Sequence, residues 1–491
     1  MKILFSLGTK PWPGYRDGVA AFVAALSAQA HEPVVVSRTG PDAEWFADNV
    51  EAQVEKYDLQ RMLRLPLSTD DLADWPGIEW AQCREAVRTL LSVGNRVGLP
   101  ESAASHVYGA TCGAVWLLHR HLPDAVIVYN PYWLEHRPLV GAARALGIPV
   151  FYYEKGMLPR SFQLDERGIN AESSLAVATE AEPADPARVE RELKKLRDEL
   201  FGEGETGWSQ PVGRVGAENL RKQLGIEPGC RVILYVGQVN SDTNMTEFSP
   251  HFDSNREAVA FLTELLPADS DWFVLGKKHP KGDDRDAEMR RLLAGRGTWA
   301  QDVHLHDCLD LADCVVSINS SVVLEALLKH RPVVLLGRGI FNGKGVAYEY
   351  DDLNHEEMWR AFSRDPMKPP ADAGKIDYWC WRAACRWLYR CRPQDLPGEG
   401  RRAADYVLER LTGPADVRAE DVLELLPPLV QLVRRRLRRP HSLVRRAARA
   451  VRRALARVRS GRNGGIFPTR NRRRIADATR FVSREDHGRS R

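Results

Sequence analysis

Short apolar runs, each closed by a polar turn and followed by apolar residues at three- and four-residue spacing, recur along the chain. Residues 2–7 (KILFSL), 33–38 (PVVVSR), 124–130 (DAVIVYN) and 148–156 (IPVFYYEKG) predict buried strands. GVAAFVAALSAQA (18–30) and PLVGAARALG (138–147) lie between them as predicted helices. The pattern restarts at Arg231: strand RVILYVGQVNSDTN, helix REAVAFLTELL, strand DWFVLGKKHP, helix DDRDAEMRRLLAG and a short strand DVHLHD (302–307). It ends on the stretch around which the rest is organised, VVSINSSVVLEALLKHRPVVLLG (315–337). There a strand to Ile318, an Asn319-Ser320-Ser321 turn capping a helix, and a strand over Val333–Leu336 are predicted.

Other stretches break this rhythm. Residues 51–122 read as mainly helical, and 157–174 (MLPRSFQLDERGINAESS) as a polar loop long enough to be functional. Residues 183–200 form a charged, solvated connecting helix, Gly202 to Gly213 a linker, and 376–391 a Trp-rich helix packed on a domain. Strands alternating with helices predict parallel sheets in an α/β protein. The expected architecture is GT-B-like, two Rossmann-like domains facing a cleft, followed by a basic helical tail. The expected boundaries are 1–205, 206–395, a helical connector 396–430 and the tail 431–491. Gly14 and Gly18 allow a tight turn above the first strand. That loop has no GxGxxG, so a dinucleotide is not expected there.

Charge divides the chain in two. Between 431 and 491 there are 21 arginines and three acids, +18, which leaves 49 basic against 63 acidic residues before it, −14. Residues 429–459 place Leu, Val and Ala between arginines at helical spacing, with Pro440 and Ser442 dividing two amphipathic basic helices. Such helices suit an anionic membrane surface. Few aromatics and no recognisable fold argue against nucleic acid. Hydrophobic content of 44% excludes a mostly disordered chain, and no apolar run approaches the ~18 residues that span a bilayer. The eight cysteines make no CxxC, and Cys380, Cys385 and Cys391 suit packing better than metal. A cytoplasmic protein, peripheral at the inner membrane face, is expected.

Polar residues collect where strands end, which is where open α/β sheets bind ligands. They are Glu154, Asp242, the Lys277-Lys278-His279-Pro280 cluster, and Asn319, Ser320, Ser321 with Glu325. A lysine and a histidine beside a helix N-terminus would hold a phosphate. Two carboxylates facing it would serve as nucleophile and general acid/base on a sugar carbon. Gln238 is expected beside the donor, and Arg160, Asp165 and Asn170 on the acceptor. His304-x-His306-Asp307 is read as alternation along a sheet edge rather than a zinc site, and Asp310 and Asp313 sit in DLAD on a short helix, so no DxD metal motif is expected.

EKGMLPRSFQLDERGIN, GQVNSDTN, KKHP and NSSVVLEALLKHRPVVLLG, in that order over about residues 120–345, resemble the successive signatures of the bacterial capsule polysaccharide biosynthesis family. The resemblance implies a GT-B glycosyltransferase that transfers Kdo from CMP-Kdo with retention to a lipid-linked or glycan acceptor, with no metal or other cofactor. By matching position, Asp242 would be the nucleophile and Glu154 the acid/base on the acceptor hydroxyl. Lys277 and His279 would neutralise the leaving phosphate, and Ser320, Ser321 and Glu325 would hold the nucleotide. The sequence departs from the family where adjacent acids often stand: Asn240 and Ser241 precede Asp242. Another nucleotide-linked sugar is therefore an open alternative, as is a GT-B-like protein that binds glycan or nucleotide without catalysis.

Overall fold

The computed structural model describes residues 1–56, 114, 117–413 and 417, apart from 9–11, 13, 38–39, 133–135, 203–205, 207–209, 211, 283 and 351. The helices expected over 57–113 and the basic tail lie outside these residues. Thirteen strands are described. In chain order they are β1 (Lys2–Ser6), β2 (Glu32–Ser37), β3 (Gln53–Lys56), β4 (Ala125–Tyr129), β5 (Val150–Lys155), β6 (Ser161–Asp165) and β7 (Arg231–Val236). Then follow β8 (Trp272–Lys277), β9 (Gly297–Ala300), β10 (Cys314–Ser317), β11 (Val333–Leu335), β12 (Tyr348–Glu349) and β13 (Leu388–Arg390). The first sheet has the order β13-β6-β5-β4-β1-β2-β3 and the second β12-β11-β10-β7-β8-β9.

Each sheet is doubly wound. The order reverses between β1 and β4 in the first and between β7 and β10 in the second, and all of these strands pair in parallel. Their Val- and Ile-rich sequences are buried along both faces, as a sheet covered by helices on each side requires. Phe22, Val23 and Leu26 of the helix Tyr15–Ser27 seal one face of the first sheet with Ala403, Ala404 and Val407 of the helix Leu396–Arg410. The second sheet separates two cores, one around Leu234, Val315 and Leu327, the other around Ile233, Val316 and Val334. This is the two-sheet α/β architecture expected.

Several local expectations are corrected. The first sheet is mixed, because β6 pairs antiparallel with β5, and β13 antiparallel with β6. The polar loop 157–174 therefore contains a buried strand, and Gln53–Lys56 is a strand beside β2 within a stretch read as helical. DVHLHD is not a strand: Leu305, Cys308 and Leu309 are buried at helical spacing, and the helix Leu305–Leu311 begins where the His304 ring accepts the His306 N–H at 3.1 Å. The Trp-rich segment is a helix only over Ala373–Trp381; a wider helical turn follows to Trp387, and the chain then joins the first sheet as β13. The charged helix Pro186–Arg197 is no mere connector. Val189, Leu193 and Leu196 share a core with Trp379 and Trp381, and Arg197 bonds Asp377 at 2.5 Å.

The chain thus re-enters the first sheet at Leu388, within the span 206–395 expected for the second domain. The return packs against two glycines, Gly14 and Gly18, where a Cβ on Gly18 would meet Cys391 Sγ at 2.5 Å. Gly14, with φ of +79°, begins the helix Tyr15–Ser27, and a Cβ there would meet the Cβ of Cys391 at 2.7 Å. Among the described residues no helix is long and apolar enough to cross a membrane.

Candidate functional site

The carboxyl ends of β4 and β5 and those of β7, β8 and β10 open onto one cavity of about 680 Å³. Ten of the expected site residues line it: Glu154, Asn170, Gln238, Asp242, Lys277 and His279, with Asn319, Ser320, Ser321 and Glu325. The switch point of the second sheet is built by two amides. Gln238 Nε2 donates to Asn319 Oδ1 at 2.9 Å and Gln238 Oε1 accepts the Asn319 N–H at 3.0 Å. Asn319 Nδ2 then holds the carbonyls of Asn244 and Arg338. Both side chains line the cavity and brace its floor. Ser320 Oγ accepts from Val322 N, whereas Ser321 stands before the helix Val322–Leu328 with no side-chain cap bond.

Glu154 is the pivot of the front half. Tyr129 donates its phenol to Oε1 at 2.5 Å, and Asn130 Nδ2 donates to Oε2 at 2.6 Å. Burial pushes the carboxyl up to about 7; the Tyr129 hydrogen bond opposes this and the Asp242 charge adds to it. Asn130 Nδ2 also reaches Thr243 Oγ1 at 2.8 Å, so one amide ties the end of the first sheet to the loop after β7. Asp242 stands at the start of the short helix Thr243–Glu247, where it accepts the Asn244 N–H at 3.0 Å. Its loop is fixed by the fully buried Asn255, which donates to the Gln238 carbonyl at 2.6 Å and to Asp284 at 2.9 Å.

Positive groups gather around the cavity, Lys155 from the same strand as Glu154 and the rest from the second sheet. Lys277 is buried, with Nζ on the carbonyls of Lys278 and Gln301, and burial lowers its pKa. Burial also pulls Lys155 down to about 8, against the carboxylates of Glu154, Asp242 and Glu325 that hold it up. Burial first, and then Lys155, Lys277 and Lys281, push His279 down to about 4. Its Nδ1 accepts the Lys281 N–H at 3.0 Å, which leaves the proton of the neutral ring on Nε2. His279 is therefore a neutral hydrogen-bond donor at neutral pH.

Arg160 and Asp165 do not line the cavity. Arg160 is exposed and gives its carbonyl to Cys391, beside β13. Asp165 is fully buried and accepts from Arg167 N, from Ser174 N and Oγ, and from Trp387 Nε1 at 3.0 Å, so its carboxylate is spent on the fold. Sequence reasoning missed Tyr129, Asn130, Lys155 and Trp12, which line the cavity. Tyr129 and Asn130 close the strand next to the β1/β4 switch point, a position that marks ligand sites in this fold class. Among the described residues no three His, Cys, Asp or Glu side chains are grouped as a metal site.

Fold and cavity define a two-sheet α/β protein in which a carboxyl that titrates near neutrality shares one cavity with lysines, a histidine and two further carboxylates. Residues 212–373 match the family model described as capsule polysaccharide biosynthesis protein. It is similar to the capsule polysaccharide export protein KpsS of Escherichia coli, 24% identical over 307 residues, 52% of this chain and 77% of that one. It is also 25% identical over 228 residues to protein FixF of Sinorhizobium fredii, covering 46% of this chain and about half, 52%, of the relative. Among solved structures, the beta Kdo 2,7 transferase of Thermosulfurimonas dismutans KpsC superposes with a TM-score of 0.38 at 17% identity, over 57% of this chain and 82% of that chain.

Proposed function

We propose that the chain is a glycosyltransferase of capsule or surface polysaccharide biosynthesis that moves a sugar, Kdo from CMP-Kdo, to a lipid-linked or glycan acceptor with retention. The observation that carries this reading is Glu154, a carboxyl held at about 7 by burial and lining the same cavity as Asp242, Lys155, Lys277 and His279. In the first step the Asp242 carboxylate attacks the anomeric carbon and the bond to the nucleotide phosphate breaks, its electron pair leaving with the phosphate. Lys155, Lys277 and Lys281, with the Nε2–H of His279, meet the departing charge without a metal. In the second, Glu154 takes the proton of the acceptor hydroxyl, whose oxygen displaces Asp242 from the same carbon. Two inversions amount to retention. Glu325 accepts the ribose hydroxyls of the nucleotide, and the basic tail, +18, keeps the enzyme on an anionic membrane surface near a lipid-linked acceptor.

Blocking the second step exposes the first. E154Q incubated with CMP-Kdo and a panel of other nucleotide sugars is expected to gain the mass of one sugar on the peptide containing Asp242, and D242N to gain none. If the unmodified protein releases nucleotide from no member of the panel yet still binds glycan, the alternative of a non-catalytic binding protein holds instead.

A further inference from the structure

Glu325 reaches the cavity from the first turn of the helix Val322–Leu328, and its side chain is 3% exposed. A carboxylate in such a place needs a donor behind it. That donor is His306, fully buried on the helix Leu305–Leu311, with Nε2 at 3.0 Å from Glu325 Oε2. His306 Nδ1 is buried with no hydrogen-bond partner among the described residues, and the ring lies edge-on to Phe201 at 5.2 Å. A proton on Nδ1 would therefore point at nothing that accepts it, and the ring keeps its proton on Nε2, directed at Glu325. The other carboxylate oxygen, Oε1, has no hydrogen-bond partner among the described residues.

We propose that His306 is a positioning residue: its Nε2–H fixes the rotamer of Glu325 so that the free oxygen meets the hydroxyls of the bound nucleotide's ribose. The inference rests on the nucleotide-sugar reading of the cavity and extends it to a residue that does not itself line it. A carboxylate accepts hydrogen bonds and donates none, so it selects hydroxyl donors and repels phosphate. The cavity's lysines take the phosphate at the end of β8, which leaves the hydroxyl-bearing sugar of the nucleotide for Glu325. His306 acts only through Glu325, so its loss is felt in binding and not in the chemical step.

The test compares CMP with 2′,3′-dideoxy-CMP as calorimetric probes of the full chain. H306M, which fills the site without a donor, is expected to lose about tenfold in CMP affinity while binding of the dideoxy compound is unchanged. H306Q, whose amide can donate from a similar position, is expected to restore the preference to within about threefold. In turnover the H306M change is expected in the donor KM, with kcat held within about twofold. A ratio of CMP to dideoxy-CMP affinity that is the same in H306M as in the unmodified protein overturns the proposal and leaves the nucleotide reading standing. Should the unmodified protein bind neither CMP nor UMP, the nucleotide reading fails and the proposal with it. If H306M has no cooperative melting transition, H306M/E325Q removes the uncompensated buried carboxylate and carries the comparison. It should match E325Q alone, and CMP binding weaker than that of E325Q overturns the proposal.

Discussion

At the carboxyl end of the first sheet the cavity is lined by a phenol, an amide, an indole, the carboxyl of Glu154 and the ammonium of Lys155; at that of the second it meets lysines, an imidazole and hydroxyls with the carboxylates of Asp242 and Glu325. Burial acts on both and pushes them in opposite senses. It drives Glu154 up to about 7, toward its neutral form, and His279 down to about 4, likewise toward neutrality. Desolvation alone would leave both ends uncharged and inert. What separates them is partners. Tyr129 and Asn130 hold the Glu154 proton in balance near neutral pH, whereas Lys155 and Lys277 crowd His279 and keep it a neutral donor. The front end is suited to moving a proton and the back end to holding an anion.

The comparison breaks first at Glu154. E154Q is expected to lose transfer by about 10²- to 10⁴-fold with the fold retained. As a base on the acceptor, Glu154 must be ionised, so transfer by the unmodified protein should rise with pH through about 7. Stability runs the other way. The folded carboxyl keeps its proton up to about 7 and the unfolded one releases it near 4.5, so between these values the folded state binds more protons and loses stability as pH rises. Gln carries no such charge. E154Q should therefore melt higher than the unmodified protein at pH 8 and no higher at pH 4. Equal differences at both pH values would mean that Glu154 is ionised in the folded protein like any surface acid.

Asp165 sharpens the same contrast, because it lies on the front sheet without belonging to its chemistry. D165N puts an amide donor among the N–H and O–H groups of Ser174, Arg167 and Trp387, and a loss of about 2–3 kcal/mol in unfolding free energy is expected. Donor and acceptor KM of the folded fraction should not move. A raised acceptor KM at unchanged stability would return Asp165 to the binding surface.

Much of this was legible from residue order. Strands β1, β2, β4, β5, β7, β8, β10 and β11 follow from apolar runs that parallel pairing buries on both faces, and strand ends gather Glu154, Asp242, His279 and Ser320 because doubly wound sheets bring those ends together. β6 and β13 were not legible. Ser161–Asp165 is polar in composition yet wholly buried, since its polar groups are paid for by bonds to residues far along the chain, such as Trp387. DVHLHD alternates like a strand, but its burial follows helical spacing once His304 caps the turn. The environment of Glu154 could not be read either. It depends on Tyr129 and Asn130, 25 and 24 positions away, and on a charge from the second domain.

The smallest effect tests the tie between the ends. Asn130 Nδ2 donates to Glu154 Oε2 and to Thr243 Oγ1, so its loss removes both a bond that lowers the Glu154 pKa and the link to the loop of Asp242. In N130A the acidic limb of the pH–rate profile should move upward, and kcat/KM at pH 7 should fall about three- to tenfold. Asn130 has φ of 37°, which disfavours alanine, so N130G serves as the control: it accepts that backbone and should show the same shift. T243A removes only the link and should leave the acidic limb where it is. If T243A moved the limb as far as N130A does, the balance at Glu154 would be set by the approach of the second domain and not by the amide, and the two ends of the cavity would have to be treated as one titrating unit.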